Sequence, residues 1–264
     1  MAAIRCWIDS DPENNSRKAG RKPGLFALEY LRIEDWLETM SHLRLNDCVK
    51  RSLSTLTPEK LPSIDGLRRL TKSIAMLDAI ICPEWEYRYY SFNSKWGENK
   101  EMASMRNGSG DDWFILFERY GAAMKGFAHE FPVAKDSLFA ARIQKVVPPI
   151  FRSFLQEPAF KMGEVTFCLW RENNDSVWHV VTSEIGGVSP ENDGSAELLG
   201  IFDGVPTTYH SWAEDYYERP IPLSAVEAVY KHERLSEATI ALLNPEISLS
   251  EIIPDTLEIG YPTE

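Results

Sequence analysis

The stretch Met102-Ala103-Ser104-Met105-Arg106-Asn107-Gly108-Ser109-Gly110-Asp111-Asp112-Trp113-Phe114-Ile115-Leu116-Phe117 decides the fold, because a tight turn lies just ahead of an unbroken apolar run. Asn107-Gly108 supplies the positive φ angles that a short hairpin demands. Residues 113–117 are apolar at every position, so both faces of that strand must be covered. Upstream, Trp85, Tyr87 and Tyr89 alternate with Glu86 and Arg88, which is the period of two expected of a strand with one buried face. Downstream, Arg119-Tyr120-Gly121 predicts a second turn that returns the chain through residues 122–128. Residues 84–130 therefore read as a three- or four-stranded antiparallel meander.

Residues 165–170 and 177–182 have the same character and read as further central strands, paired as a hairpin across Glu172-Asn173-Asn174-Asp175. Helical spacing flanks these strands. Leu67, Leu70, Ile74, Leu77 and Ile81 recur at three- and four-residue intervals after Ser63, a good N-cap, and before Pro83, a stop. Trp36, Leu37, Met40, Leu43 and Leu45 predict an earlier helix, preceded by an apolar run at 4–8 and a polar loop at 9–24. Residues 137–156 predict two short helices broken at Pro148-Pro149. A loop at 185–194 leads to helices at 196–202, 207–217, 223–230 and 236–243, and 249–261 reads as a short edge strand. Blocks of helices beside neighbouring strands, without βαβ alternation, predict an α+β fold whose antiparallel sheet (meander plus hairpin) is flanked by helices. No long linker interrupts the hydrophobic pattern, so 1–264 reads as a single domain with a subdomain edge near 184–195.

The chain has 28 Lys+Arg against 40 Asp+Glu, a net charge of −12. Residues 184–264 alone hold 16 acidic residues against Arg219, Lys231 and Arg234, a local balance of −13 that carries essentially all of it. Such a field attracts basic partners and repels nucleic acid and anionic membrane. A pI near 5.0 weakens a stacking-platform reading of the aromatic residues, since such platforms need a basic groove. No apolar run approaches a membrane span, and acidic residues arrive too early for a signal peptide, so the expected location is cytoplasmic. Cys6, Cys48, Cys82 and Cys168 lie far apart without metal-ligand spacing and read as reduced thiols; no metal and no cofactor is expected. Gly186-Gly187 lacks the lysine and spacing of a phosphate loop.

Two groups of residues could carry chemistry. Asp111 and Asp112, with His129 and Glu130 one hairpin further on, offer carboxylates and an imidazole for general acid/base work. Adjacent strand residues point to opposite faces, so at most one of each pair can converge. Ser109 stands between glycines, but a strand follows it where a nucleophile elbow needs a helix. His179, in an apolar strand, reads as a hydrogen-bonded packing residue. The second group is Trp212, Glu214, Asp215, Tyr216 and Glu218, where aromatic anchors beside carboxylates resemble a surface that captures a cationic protein. The alternative for that segment is an amphipathic helix with its rings in the core.

Residues 87–93, 102–114 and 125–130, with a fainter match at 212–243, resemble a family of uncharacterised bacterial proteins. That resemblance implies no particular activity, ligand or catalytic residue. The acidic helical end also resembles, in style, immunity proteins that neutralise bacterial toxins. The expectation is a bacterial binding protein, immunity-like, engaging a basic partner through its acidic C-terminal surface. A hydrolase using the Asp/His/Glu cluster is the alternative.

Overall fold

The computed structural model describes residues 53–185 and 190–263. The expectations for 4–8, 9–24 and the helix after Ile33, together with Cys6, Cys48 and Gly186-Gly187, concern residues that are wholly or partly outside this set.

Six antiparallel strands form one sheet in sequence order: β1 (Tyr90–Gly97), β2 (Lys100–Arg106), β3 (Asp112–Glu118), β4 (Gly121–Phe127), β5 (Phe167–Glu172) and β6 (His179–Val181). The predicted meander is β1 to β4. The 113–117 run lies in β3, whose pleat sends Trp113, Ile115 and Phe117 into one apolar core and Phe114 and Leu116 into another. Burial on both faces is why no polar residue interrupts the run.

The first core is roofed by α1 (Ile64–Ile81) and by helices of the C-terminal part; the second by α2 (Phe139–Val146), α3 (Arg152–Leu155) and short 3-10 turns. Ser63 caps α1 by accepting a hydrogen bond from the Gly66 amide at 3.2 Å. From Ser73 to Ile81 every side chain of α1 is buried, because β1 and the C-terminal helices enclose it. Two single turns, α4 (Pro190–Asp193) and α5 (Ser195–Leu199), precede α6 (Pro206–Tyr217), α7 (Leu223–Tyr230), α8 (Glu237–Leu243) and α9 (Leu249–Ile259). Thr55 bonds Asp193 at 2.5 Å and Ser195 at 3.1 Å, tying the first described segment to the start of this part.

Four expectations are corrected. Residues 84–88 do not extend the sheet; Trp85–Tyr87 is a 3-10 turn with Trp85 and Tyr87 exposed. The end of α1 imposes this turn: the Arg88 guanidinium donates to the Cys82 and Pro83 carbonyls at 2.9 and 2.7 Å, while the Tyr89 and Tyr90 amides donate to Asp78 inside the helix. Residues 249–261 form α9 instead of a strand, because Ser248 and Glu251 make a reciprocal capping box and Ile252, Thr256 and Ile259 form a buried stripe. Residues 177–182 supply the edge strand β6 and not a central one: Trp178 turns into the first core and donates to the Pro62 carbonyl at 2.8 Å, which leaves Val177 and His179 at the rim. At the β2–β3 turn the positive φ angles belong to Gly108 and Gly110; Asn107 contributes its side chain.

Candidate functional site

At that turn Asn107 Oδ1 accepts from the amides of Ser109 and Asp111 at 2.8 and 3.0 Å. Asp111 is thereby placed against His129, with Oδ1 2.9 Å from the backbone amide and 2.7 Å from the ring Nδ1. Glu130 Oε1 is 3.9 Å from His129 Nε2 on an exposed side chain. Asp112, one residue along the pleat, goes to the opposite face and contacts Lys125 Nζ at 2.6 Å. The structure thus gathers Asp111, His129 and Glu130 and diverts Asp112, as alternation requires. The Asp111 bond raises the His129 value above its ordinary 6.5. Partial burial pushes Asp111 up, but hydrogen bonds from His129 and Asn107 outweigh it and leave the carboxyl below its usual range. Among the described residues no hydroxyl or thiol is hydrogen-bonded to this imidazole, so what the arrangement offers is an oriented, readily protonated base without an attached nucleophile.

His179 is more exposed than its strand suggests; it stacks on Trp170 and bonds Asp175 at 3.1 Å. Among the described residues there is no His/Cys/Asp/Glu group able to hold a metal ion and no helix long and apolar enough to cross a membrane.

The second group lies on α6. Tyr209 and Ala213 are fully buried, and the neighbouring i, i+4 pair Trp212 and Tyr216 stacks at 5.2 Å along the helix edge. Both rings meet Tyr89, at 4.7 and 5.1 Å, and Trp212 also meets Tyr90 at 4.9 Å. Trp212 is half-buried, Tyr216 is 44% exposed, and Asp215 and Glu218 are exposed. Glu214 has a different role: it accepts from the Ile221 amide at 3.0 Å and stands 3.6 Å from His210, holding the connection to α7. Beside this edge opens a cleft of about 240 Å³ lined by Tyr89, Tyr90, Met105, Leu198, Ile201 and Trp212, with Glu197 and Thr208 as its polar members. Exposed Trp85, with Arg106 over its ring, and exposed Tyr87 extend the aromatic surface at the start of β1.

Arg219 and Arg234 hold backbone carbonyls and not the carboxylates of this face. Arg219 donates to the Ile81 and Leu243 carbonyls, both at 3.1 Å, where the ends of α1 and α8 attract positive charge. Arg234 donates to the Thr263 carbonyl at 3.0 Å. Among the described residues Asp215 and Glu218 have no ion-pair partner within 4 Å.

Beneath the rings lies Asp78, fully buried in α1. Its carboxylate accepts from the Tyr89 and Tyr90 amides at 3.0 and 2.8 Å and from Tyr209 Oη at 2.6 Å. Burial pushes its pKa up to about 6 even against these donors. Tyr217 is close enough to favour the charge without making an aligned hydrogen bond. Sequence reasoning missed this residue. Its one signal is an aspartate inside the apolar run Ala75-Met76-Leu77-Asp78-Ala79-Ile80, where an ionisable group needs buried partners. The chain matches no protein-family profile, and no similar curated protein or solved structure was found.

Proposed function

We propose that this chain is a cytoplasmic bacterial binding protein, immunity-like, that captures a basic protein partner on the face formed by α6 and the start of β1. The observation that carries the reading is the pairing of unneutralised carboxylates at Asp215 and Glu218 with an aromatic edge, Trp212, Tyr216 and Tyr89, beside a cleft that holds Glu197. A partner arginine or lysine would lay its stem along these rings, where cation–π attraction adds to the charge attraction. The field of the C-terminal part would accelerate encounter, and the rings would set the lifetime of the complex.

The test is titration of ¹⁵N-labelled protein with an oligo-arginine peptide, followed by NMR at several salt concentrations. The Trp212 indole and the amides around Asp215 and Glu218 should shift in a saturable way. Affinity should fall steeply as ionic strength shortens the electrostatic reach to about 8 Å or less. Replacing Asp215 and Glu218 together by lysine should weaken binding roughly tenfold or more. Shifts scattered over the protein, or binding unchanged in that variant, would refute the proposal.

A further inference from the structure

The cleft of about 240 Å³ beside the aromatic edge is smaller than the roughly 300–1,000 Å³ of most cofactor and small-molecule sites, and suits a single side chain. Tyr89, Tyr90 and Trp212 meet there pairwise, with ring centroids 4.7 to 4.9 Å apart and planes inclined by 56° to 66°. Rings inclined this steeply make a corner instead of a flat stack. Buried Met105, Leu198 and Ile201 complete an apolar lining.

Two polar side chains border that lining, and both present acceptors. Glu197 is exposed on the single turn α5, and among the described residues its carboxylate has no ion-pair partner within 4 Å. Thr208, in the first turn of α6, donates its hydroxyl proton to Asp203, so its oxygen has only lone pairs left for other neighbours. The Asp203 carboxylate strengthens that oxygen as an acceptor. A group that fills the cleft must therefore donate hydrogen bonds, carry positive charge and lie against apolar walls. A quaternary ammonium meets the charge but leaves both acceptors unpaired. A primary ammonium has donors but is strongly hydrated, which makes it costly to press against Leu198 and Ile201. A guanidinium meets all three conditions, because it is planar, weakly hydrated, stacks on aromatic faces and donates along its edge.

We infer that this cleft receives one arginine side chain of the basic partner and prefers arginine to lysine. The inference rests on the capture of a basic partner proposed above and adds the residue that the cleft selects. The guanidinium plane lies in the corner of Tyr89, Tyr90 and Trp212, and its edge donates to Glu197 and Thr208. Asp215 and Glu218, outside the cleft, act by charge and do not distinguish the two cations.

Three peptides of equal charge test this on the intact ¹⁵N-labelled chain by NMR: pentalysine, the same peptide with a central arginine, and that peptide with its arginine asymmetrically dimethylated. Equal charge holds the long-range attraction constant, while dimethylation keeps the charge and blocks bidentate hydrogen bonding. The arginine peptide should bind about fivefold or more tighter than pentalysine, with saturable shifts at the Trp212 indole and the Gly200 and Ile201 amides, and dimethylation should remove most of that advantage. Glu197→Gln should bring the arginine peptide to within about twofold of pentalysine while weakening pentalysine itself by no more than about twofold. Glu197 is exposed, and an unchanged urea midpoint verifies that the variant folds. Saturable binding of all three peptides at the α6 face with equal affinity would overturn the arginine site and leave the capture of a basic partner standing. No saturable shift at that face with any peptide would overturn both. An arginine preference that survives Glu197→Gln would overturn the contact given to Glu197.

Discussion

Replacing Asp78 by asparagine isolates the energetics of the buried carboxylate beneath the aromatic face. The amide keeps an acceptor oxygen and nearly the same volume but cannot ionise. In the native protein the Asp78 pKa is raised from an ordinary 3.8 to about 6 by burial. The folded state then holds a proton that the unfolded state has released, so the contribution of Asp78 is fully present below pH 3.8 and is lost as pH rises through 6. The full displacement corresponds to about 3 kcal/mol, of which about 2 kcal/mol falls between about pH 4.5 and about pH 7.5. Urea unfolding of wild type and Asp78→Asn across that interval supplies the assay. Other carboxylates and histidines titrate in both proteins and cancel in the difference. The stability of wild type relative to the variant should therefore fall by about 2 kcal/mol as pH rises, and most of that change should occur below about pH 6. A difference that stays flat, or that grows in favour of wild type with increasing pH, would refute the account, since it would mean that the carboxylate is ordinary or is stabilised in its charged form.

Lys125→Met should destabilise by about 3–5 kcal/mol, because it strands Asp112 beside the second core; adding Asp112→Asn should recover at least half of that loss in urea unfolding. Tyr230 Oη is buried without a partner, so Tyr230→Phe should leave the urea midpoint unchanged or raise stability by up to about 1 kcal/mol. Glu218 ends α6 with φ at +50°, and Glu218→Gly should raise stability by about 1 kcal/mol, measured by thermal unfolding, while weakening oligo-arginine binding. The His129 titration followed by NMR should lie above 6.5 in wild type and move back toward it in Asp111→Asn, since the bond to Asp111 is the largest cause of the rise.

Much of the sheet was legible because it rests on local rules. An apolar run at 113–117 needs cover on both faces, the Asn107-Gly108 stretch marks a turn, and Ser63 and Pro83 bracket α1. What escaped was set by partners distant in sequence. The alternation of Trp85, Tyr87 and Tyr89 imitates a strand, yet the direction of the chain there follows from Asp78 and Arg88, which bond across the end of α1. Residues 249–261 show mixed apolar spacing and an internal Pro254, and the decision for helix comes from the Ser248–Glu251 box and from burial against α1 and β1. In the candidate sites, local pattern placed Trp212 and Tyr216 on one helix edge and separated Asp111 from Asp112. It could not show that Glu214 serves the α6–α7 connection.

The rigidity of the acidic face has a specific source. Through one carboxylate, Asp78 joins α1 to the Tyr89 and Tyr90 amides and to Tyr209 of α6, so the rings that line the cleft are held by the core of the protein before any partner arrives. A preformed face avoids the ordering entropy that a loop would lose on binding. The same arrangement means that Trp212 serves stability as well as recognition, whereas Asp215 is exposed and Tyr216 is 44% exposed while packing on Tyr89 and Trp212. Binding losses at Tyr216 or Asp215 with an unchanged urea midpoint therefore report on recognition, and a loss at Trp212 does so only after its effect on folding has been measured.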